Sequence, residues 1–145
     1  MTELSDAIRQ RVRQRAGNRC EYCLSHQDYV MGILQIDHVQ PKAKGGSDTE
    51  DNLCLACELC NQYKWTKTEG LDPQNGETVA LFNPRQQKWY EHFMWSDDGT
   101  EIIGLTACGR GTVIAFRLNN SIALTVRRNW VKAGWHPPKG LENTL

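Results

Sequence analysis

Ala7, Ile8 and Val12 form a modest apolar stripe in an otherwise polar opening stretch. Ser5-Asp6 is placed to cap a helix there and Gly17-Asn18 to stop it, so a helix is predicted to about Ala16. Residues 24–31 mix polar and aromatic side chains without a period and read as an irregular connection. The pattern then changes: Gly32-Ile33-Leu34-Gln35-Ile36-Asp37-His38-Val39 is rich in β-formers and predicts a strand that Pro41 ends. Lys42 to Asp48 is a loop by its glycines, Asp51-Asn52-Leu53-Cys54-Leu55 predicts a short return strand, and Glu58 to Thr66 can be helical. Strand, loop, strand and helix make a ββα unit, with Asp37-His38 at the end of the first strand and Asn61 near the start of the helix.

The character shifts beyond Gly70. Leu71 to Gly76 is a turn-rich connection leading into Val79-Ala80-Leu81-Phe82, which places a boundary between residues 1–70 and an extension, 71–145. Gln87 to Ser96 alternates enough for a strand, and Glu101 to Leu105 can pair with it across Asp97-Asp98-Gly99-Thr100 as a hairpin. The β-branched residues of Gly109 to Leu118 suit a strand, whereas the spacing of Val113, Ala115, Phe116 and Leu118 permits the helix favoured here. Asn120 or Ser121 can cap a last helix through Ala133, ended by Gly134 and Pro137-Pro138. The expected class is α+β: a ββα core with an N-terminal helix and a C-terminal mixed hairpin and helix extension.

Length narrows the picture, because 145 residues suffice for one compact domain or a small core with an appendage. A segment of about fifty residues buries too little apolar surface to offset its chain entropy comfortably, which gives a structural metal a physical reason to exist. No apolar run is long enough to span a bilayer and no secretory pattern opens the chain, so the expectation is a soluble, cytoplasmic protein without membrane partners.

Charge changes the picture less than its distribution does. Seventeen basic side chains balance seventeen acidic ones. Yet Arg9, Arg11, Arg13, Arg15 and Arg19 occupy a stretch with no acidic residue between Ala7 and Cys20, a local cationic surface suited to phosphate contact. The five tryptophans could stack on bases, but those of the extension are read as packing, as are His26, His92 and His136 in surface or core roles.

The chain has six cysteines, and with reduced thiols expected, ligand spacing favours metal over disulfides. Cys20-Glu-Tyr-Cys23 and Cys57-Glu-Leu-Cys60 form two CxxC pairs that suit a tetrahedral zinc ion. Cys54-Leu-Ala-Cys57 is also a CxxC and offers an alternative second pair. Cys57 with Cys60 is preferred because Asn52-Leu-Cys-Leu reads as a strand, whereas Cys57 to Lys64 reads as a turn entering a helix. Paired cysteines alone would equally fit an inert zinc ribbon.

Between the pairs lie Ile36-Asp37-His38-Val39-Gln40-Pro41, Gly45-Gly46-Ser47 and Asp51-Asn52-Leu53, and Cys57-x-x-Cys60-Asn61-x-x-Lys64 closes the series. In that order they resemble the HNH endonuclease family in its zinc-stabilised ββα-metal form, over roughly residues 15 to 66. The resemblance implies His38 as general base, Asp37 as ligand of a catalytic divalent ion such as magnesium, and Asn52 as the support of the active-site loop. Asn61 stands where many members have a second histidine, which makes this an HNN variant. An amide oxygen can still ligate a hard ion.

The resemblance further implies hydrolysis of DNA phosphodiesters, by nicking or double-strand cleavage, to 5′ phosphate and 3′ hydroxyl ends. Arg9, Arg13, Arg19, Lys42, Lys44 and Lys64 are the candidate phosphate contacts. A monomer suffices for nicking, and a homodimer would ease a double-strand cut. The competing reading is a zinc-stabilised nucleic-acid-binding or adaptor module without turnover; a third is a structural zinc protein with a protein partner.

Overall fold

The computed structural model describes residues 4–142. The chain divides into two compact units, one running through Thr68 and including Asn83–Gln86, the other made of Glu69–Phe82 and the residues from Gln87 onward. Mixed helices and short antiparallel strands make the class α+β.

In the first unit, α1 (Asp6–Arg15) begins at Ser5, whose Oγ accepts from Ile8 N, and ends at Ala16. Ile8 and Val12 turn inward while Ala7 is exposed, so the predicted stripe is narrower than expected. β1 (Gln35–His38) pairs antiparallel with β2 (Leu53–Ala56), in a register that sets Asp37 opposite Cys54 and His38 opposite Leu53. The helix α2 (Glu58–Lys64) follows directly. Val12, Leu34, Leu53 and Leu55 form the buried core, with Leu4, Ile8, Val30 and Ile36 packed around it. All four residues of β2 are buried, so the strand carries a core on each face: leucines on one, Cys54 and Ala56 on the other.

β1 is shorter than the strand predicted from Gly32 to Val39. The Gln27 side chain is the cause: Nε2 donates to Gly32 O at 2.9 Å and Oε1 accepts from Leu34 N at 2.8 Å, so a side-chain amide occupies backbone groups a ladder would need. β2 starts late because residues 50–52 form a 3₁₀ turn.

In the second unit, β3 (Glu69–Leu71) and β4 (Thr78–Ala80) form a hairpin where the sequence suggested only a connection. Asp72 organises its turn, accepting from Gly76 N through its carbonyl at 2.7 Å and from Arg110 through both carboxylate oxygens. The strand predicted from Gln87 to Ser96 is instead a helical turn, α3 (Trp89–His92), leading into β5 (Phe93–Trp95). One helical turn brings the rings of Trp89 and Phe93 to 5.0 Å between centroids, whereas four residues of extended strand would hold them about 13 Å apart. β5 pairs with β6 (Ile102–Gly104) as the expected hairpin.

The ambiguous stretch is helical, as favoured: α4 (Ala107–Ala115). The last helix, α5 (Ser121–Ala133), is capped by the Asn120 side chain and ended by Gly134 in the left-handed conformation. Trp89 and Trp130 are buried and Trp95 stacks edge-on against His136 at 4.3 Å, so these aromatics pack as a core. Trp135 is half exposed. No helix among the described residues is long and apolar enough to cross a membrane.

Candidate metal centre and catalytic strand

Each cysteine pair closes on a tight turn. In the first, Arg19 bridges His26, Cys20 N donates to Ser25 O and Leu24 N to Cys20 O, while Leu24 takes a positive φ of 64°. In the second, Cys57 is the N-cap of α2 and its Sγ accepts from Cys60 N at 3.4 Å. The turns bring the sulfurs of Cys20, Cys23, Cys57 and Cys60 within 4.8 Å of one another. Tetrahedral ligation with zinc–sulfur bonds of about 2.3 Å places sulfurs about 3.8 Å apart. Cys23 Sγ and Cys57 Sγ are 3.7 Å apart, so this group fits a structural metal such as zinc.

Burial pushes the Cys20 thiol well above its ordinary pKa, and hydrogen bonding to neighbouring sulfurs, Cys20 first, raises Cys60 likewise. Four crowded sulfurs become thiolates only with a cation among them. The alternative pairing of Cys54 with Cys57 is not the one assembled, since Cys54 lies opposite Asp37 on the ladder. His26 is outside the group as well, its Nδ1 accepting from Asp28 N at 3.0 Å.

The first turn is tied to the rest of the unit through Glu21. Its backbone N donates to Leu55 O, its Oε2 accepts from Leu55 N, and Arg85 pairs with Oε1. Burial raises the Glu21 carboxyl above its ordinary pKa, and the Arg85 charge opposes that shift. Arg85 lies 64 residues away, and no local motif announces the contact.

Alternation along β1 sends Gln35 and Asp37 to the face that α2 covers. Asn61 Nδ2 donates to Gln35 Oε1 at 2.6 Å, which leaves Oδ1 as the atom that could ligate an ion. The Asp37 carboxylate is buried, and Oδ2 accepts from Tyr22 Oη at 2.7 Å. The Cys54 thiol in turn donates to Tyr22 Oη at 3.3 Å. Burial holds both the Tyr22 hydroxyl and the Cys54 thiol well above their ordinary pKa values, so both stay protonated and Asp37 remains the acceptor of the chain.

Lys64 departs from its expected place at a substrate phosphate. Its side chain is 3% exposed, and Nζ lies 3.1 Å from Asp37 Oδ2 and 2.8 Å from the His38 carbonyl. Asp37 Oδ1 has only a long contact of 3.4 Å with the same ammonium. The Asp37 carboxylate on β1 and the Asn61 amide oxygen on α2 are the oxygen donors here that could hold a hard divalent ion, the carboxylate being already paired with Lys64.

His38 ends β1 with its ring part exposed, Nε2 2.8 Å from Asp48 Oδ1. Asn52 clamps the loop between: its Oδ1 accepts from Gln40 N, and its Nδ2 donates to Gln40 O and Ser47 O. The paired glycines serve different needs. Gly45 has a φ of +88°, whereas a Cβ on Gly46 would lie 1.7 Å from Gln40 O and 2.9 Å from Asn52 Nδ2. Gly46→Ala is therefore expected to cost at least the upper part of the overpacking range of about 1–3 kcal/mol. Gly45→Ala meets nothing within 4 Å and should cost only its backbone strain, about 1–2 kcal/mol. Urea midpoints of the two variants check this ordering, and equal losses would show the clamp to be slack.

Of the remaining cations, Arg9 and Lys44 are exposed, Arg13 is half-buried, Arg19 donates to Leu24 O within the first cysteine turn, and Lys42 pairs with Asp48. Arg11, read only as part of the basic stretch, pairs with Glu50. Sequence reasoning missed Tyr22, Asp48 and Glu21; Tyr22 and Glu21 sit inside the first CxxC and Asp48 two residues past the glycines, which is the signal that could have raised them.

A two-stranded antiparallel ladder, a helix and a four-sulfur cluster able to hold a metal define a small ββα domain. Residues 20–67, about a third of the chain, match the family model described as HNH endonuclease, so this segment is similar to that family's domain. Neither a curated protein nor a solved structure matches the chain.

Proposed function

We propose that the protein is a metal-dependent endonuclease that hydrolyses DNA phosphodiester bonds, with zinc as its structural ion. The observation that carries this reading is the intact Asp37-His38 pair at the end of β1, inside the segment that matches the family and beside the Asn52 clamp. Phosphodiester hydrolysis needs an activated water and neutralisation of charge on the phosphate and the leaving oxygen. His38, partly exposed, takes the proton from water, as an imidazole can near neutral pH. Asp37 and Asn61 would hold a divalent ion such as magnesium, which supplies the charge neutralisation. Asn52 keeps the loop in place, while Arg9, Arg13 and Lys44 contact the DNA backbone.

Supercoiled plasmid incubated with zinc-loaded protein and magnesium or manganese should be nicked, and His38→Ala should slow this by about 10²–10⁴-fold. No nicking with any of several divalent ions, or an equally active variant, would overturn the reading. The Lys64 ammonium on Asp37 favours a second one, a nucleic-acid-binding domain without turnover. That reading expects a plasmid gel shift, no cleavage and no divalent-ion binding by calorimetry.

A further inference from the structure

We propose that Asp48 is the positioning residue of His38, holding the imidazole by Nε2 so that Nδ1 is the nitrogen presented to water. Asp48 Oδ1 lies 2.8 Å from His38 Nε2, and Oδ2 lies 3.1 Å from Lys42 Nζ, so one carboxylate spans the ring and an ammonium. The hydrogen bond from His38, and then that from Lys42, hold the Asp48 carboxyl below its ordinary pKa. A carboxylate only accepts hydrogen bonds, so in the neutral ring the proton belongs on Nε2 and the lone pair on Nδ1. Among the described residues no group is hydrogen-bonded to Nδ1.

The support for Asp48 is built into the loop. Asn52 Nδ2 donates to Ser47 O at 2.8 Å, directly before Asp48, and Gly46 N donates to Pro41 O at 3.0 Å. The clamp from Asn52 thus reaches His38 by way of Ser47 and Asp48. The catalytic consequence rests on the nuclease reading; the placement of the proton does not.

Lys42 makes the test sharp. An ammonium can only donate, so in Asp48→Asn the amide oxygen must face Lys42 and the NH₂ must face His38. Nε2 would then have to accept, and the proton would move to Nδ1, removing the lone pair from the nitrogen that meets water. The isosteric substitution should therefore be the more damaging one. Nitrogen-15 NMR of histidine-labelled, zinc-loaded protein, at a pH where the ring is neutral, reads which nitrogen is protonated; His38→Ala assigns the signal among the four histidines.

The parent should show Nε2 protonated and Asp48→Asn the reverse, while Asp48→Ala shows the unbiased mixture of a free ring. Nicking should fall by about 10–100-fold in Asp48→Ala, and at least as far in Asp48→Asn. A parent ring protonated at Nδ1, or an Asn variant with the parent's tautomer and rate, would overturn the proposal. If the parent fails to nick, the nuclease reading falls while the tautomer result still decides the role of Asp48.

Discussion

Replacing Cys57 by serine is expected to unfold the first unit. Its apolar core rests on Val12, Leu34, Leu53 and Leu55, a small number of buried side chains for a segment with one two-stranded ladder. Structural zinc binding in small domains contributes about 10–16 kcal/mol of apparent folding free energy, far more than such a core has in reserve. Loss of one thiolate also leaves buried Cys20, Cys23 and Cys60 with a poorer cage for the ion. The checks are zinc content by atomic absorption, together with far- and near-ultraviolet dichroism before and after a strong chelator. Cys54→Ser is the matched comparison: its sulfur lies beside Asp37 and Tyr22, so that variant should keep one zinc per chain. Retained dichroism in Cys57→Ser, or zinc loss in Cys54→Ser, would contradict the assignment.

The second large effect is expected at Lys64. Lys64→Met removes an ammonium that is 3% exposed and leaves the Asp37 carboxylate, 7% exposed, with Tyr22 and the Cys54 thiol as its partners. Breaking a buried ion pair on one side costs about 3–5 kcal/mol, because the remaining charge is desolvated without compensation. Lys64→Met combined with Asp37→Asn should recover most of that loss, since no buried charge is then stranded. Urea denaturation of the parent, both single variants and the double variant closes the cycle. Additive losses would mean that the pair is not coupled.

These two sites differ in how readable they were. The cysteine pairs, the adjacent Asp37-His38 and the caps at Ser5, Asn120 and Gly134 are local devices: two sulfurs share one turn, a Ser or Asn side chain bonds a backbone group three residues away, and a glycine takes the left-handed turn that ends a helix. Such contacts are written in spacing. The ββα order followed from short β-rich runs around a glycine loop for the same reason. Lys64 could not be read this way, because its spacing from Cys60 gives a helical position but not the depth of the face. Burial there depends on β1 lying against α2, with Asp37 27 residues earlier in the chain. The helical turn at Trp89–His92 and the hairpin of β3 and β4 were likewise decided by packing partners rather than by local pattern. Asp48 was legible as a loop residue, but its bond to His38 ten positions earlier was not.

The assignment of Asn83–Gln86 to the first unit has a genetic consequence. Cutting the gene after the codon for Thr68 would separate Glu21 from Arg85, stranding a buried carboxylate behind the first pair of thiolates. The stretch that matches the family, residues 20–67, is therefore not a cassette that can be lifted out or recombined at its own borders. The polypeptide crosses between the units three times, after Thr68, Phe82 and Gln86, so any graft has to carry all three crossings or supply a new counter-charge for Glu21.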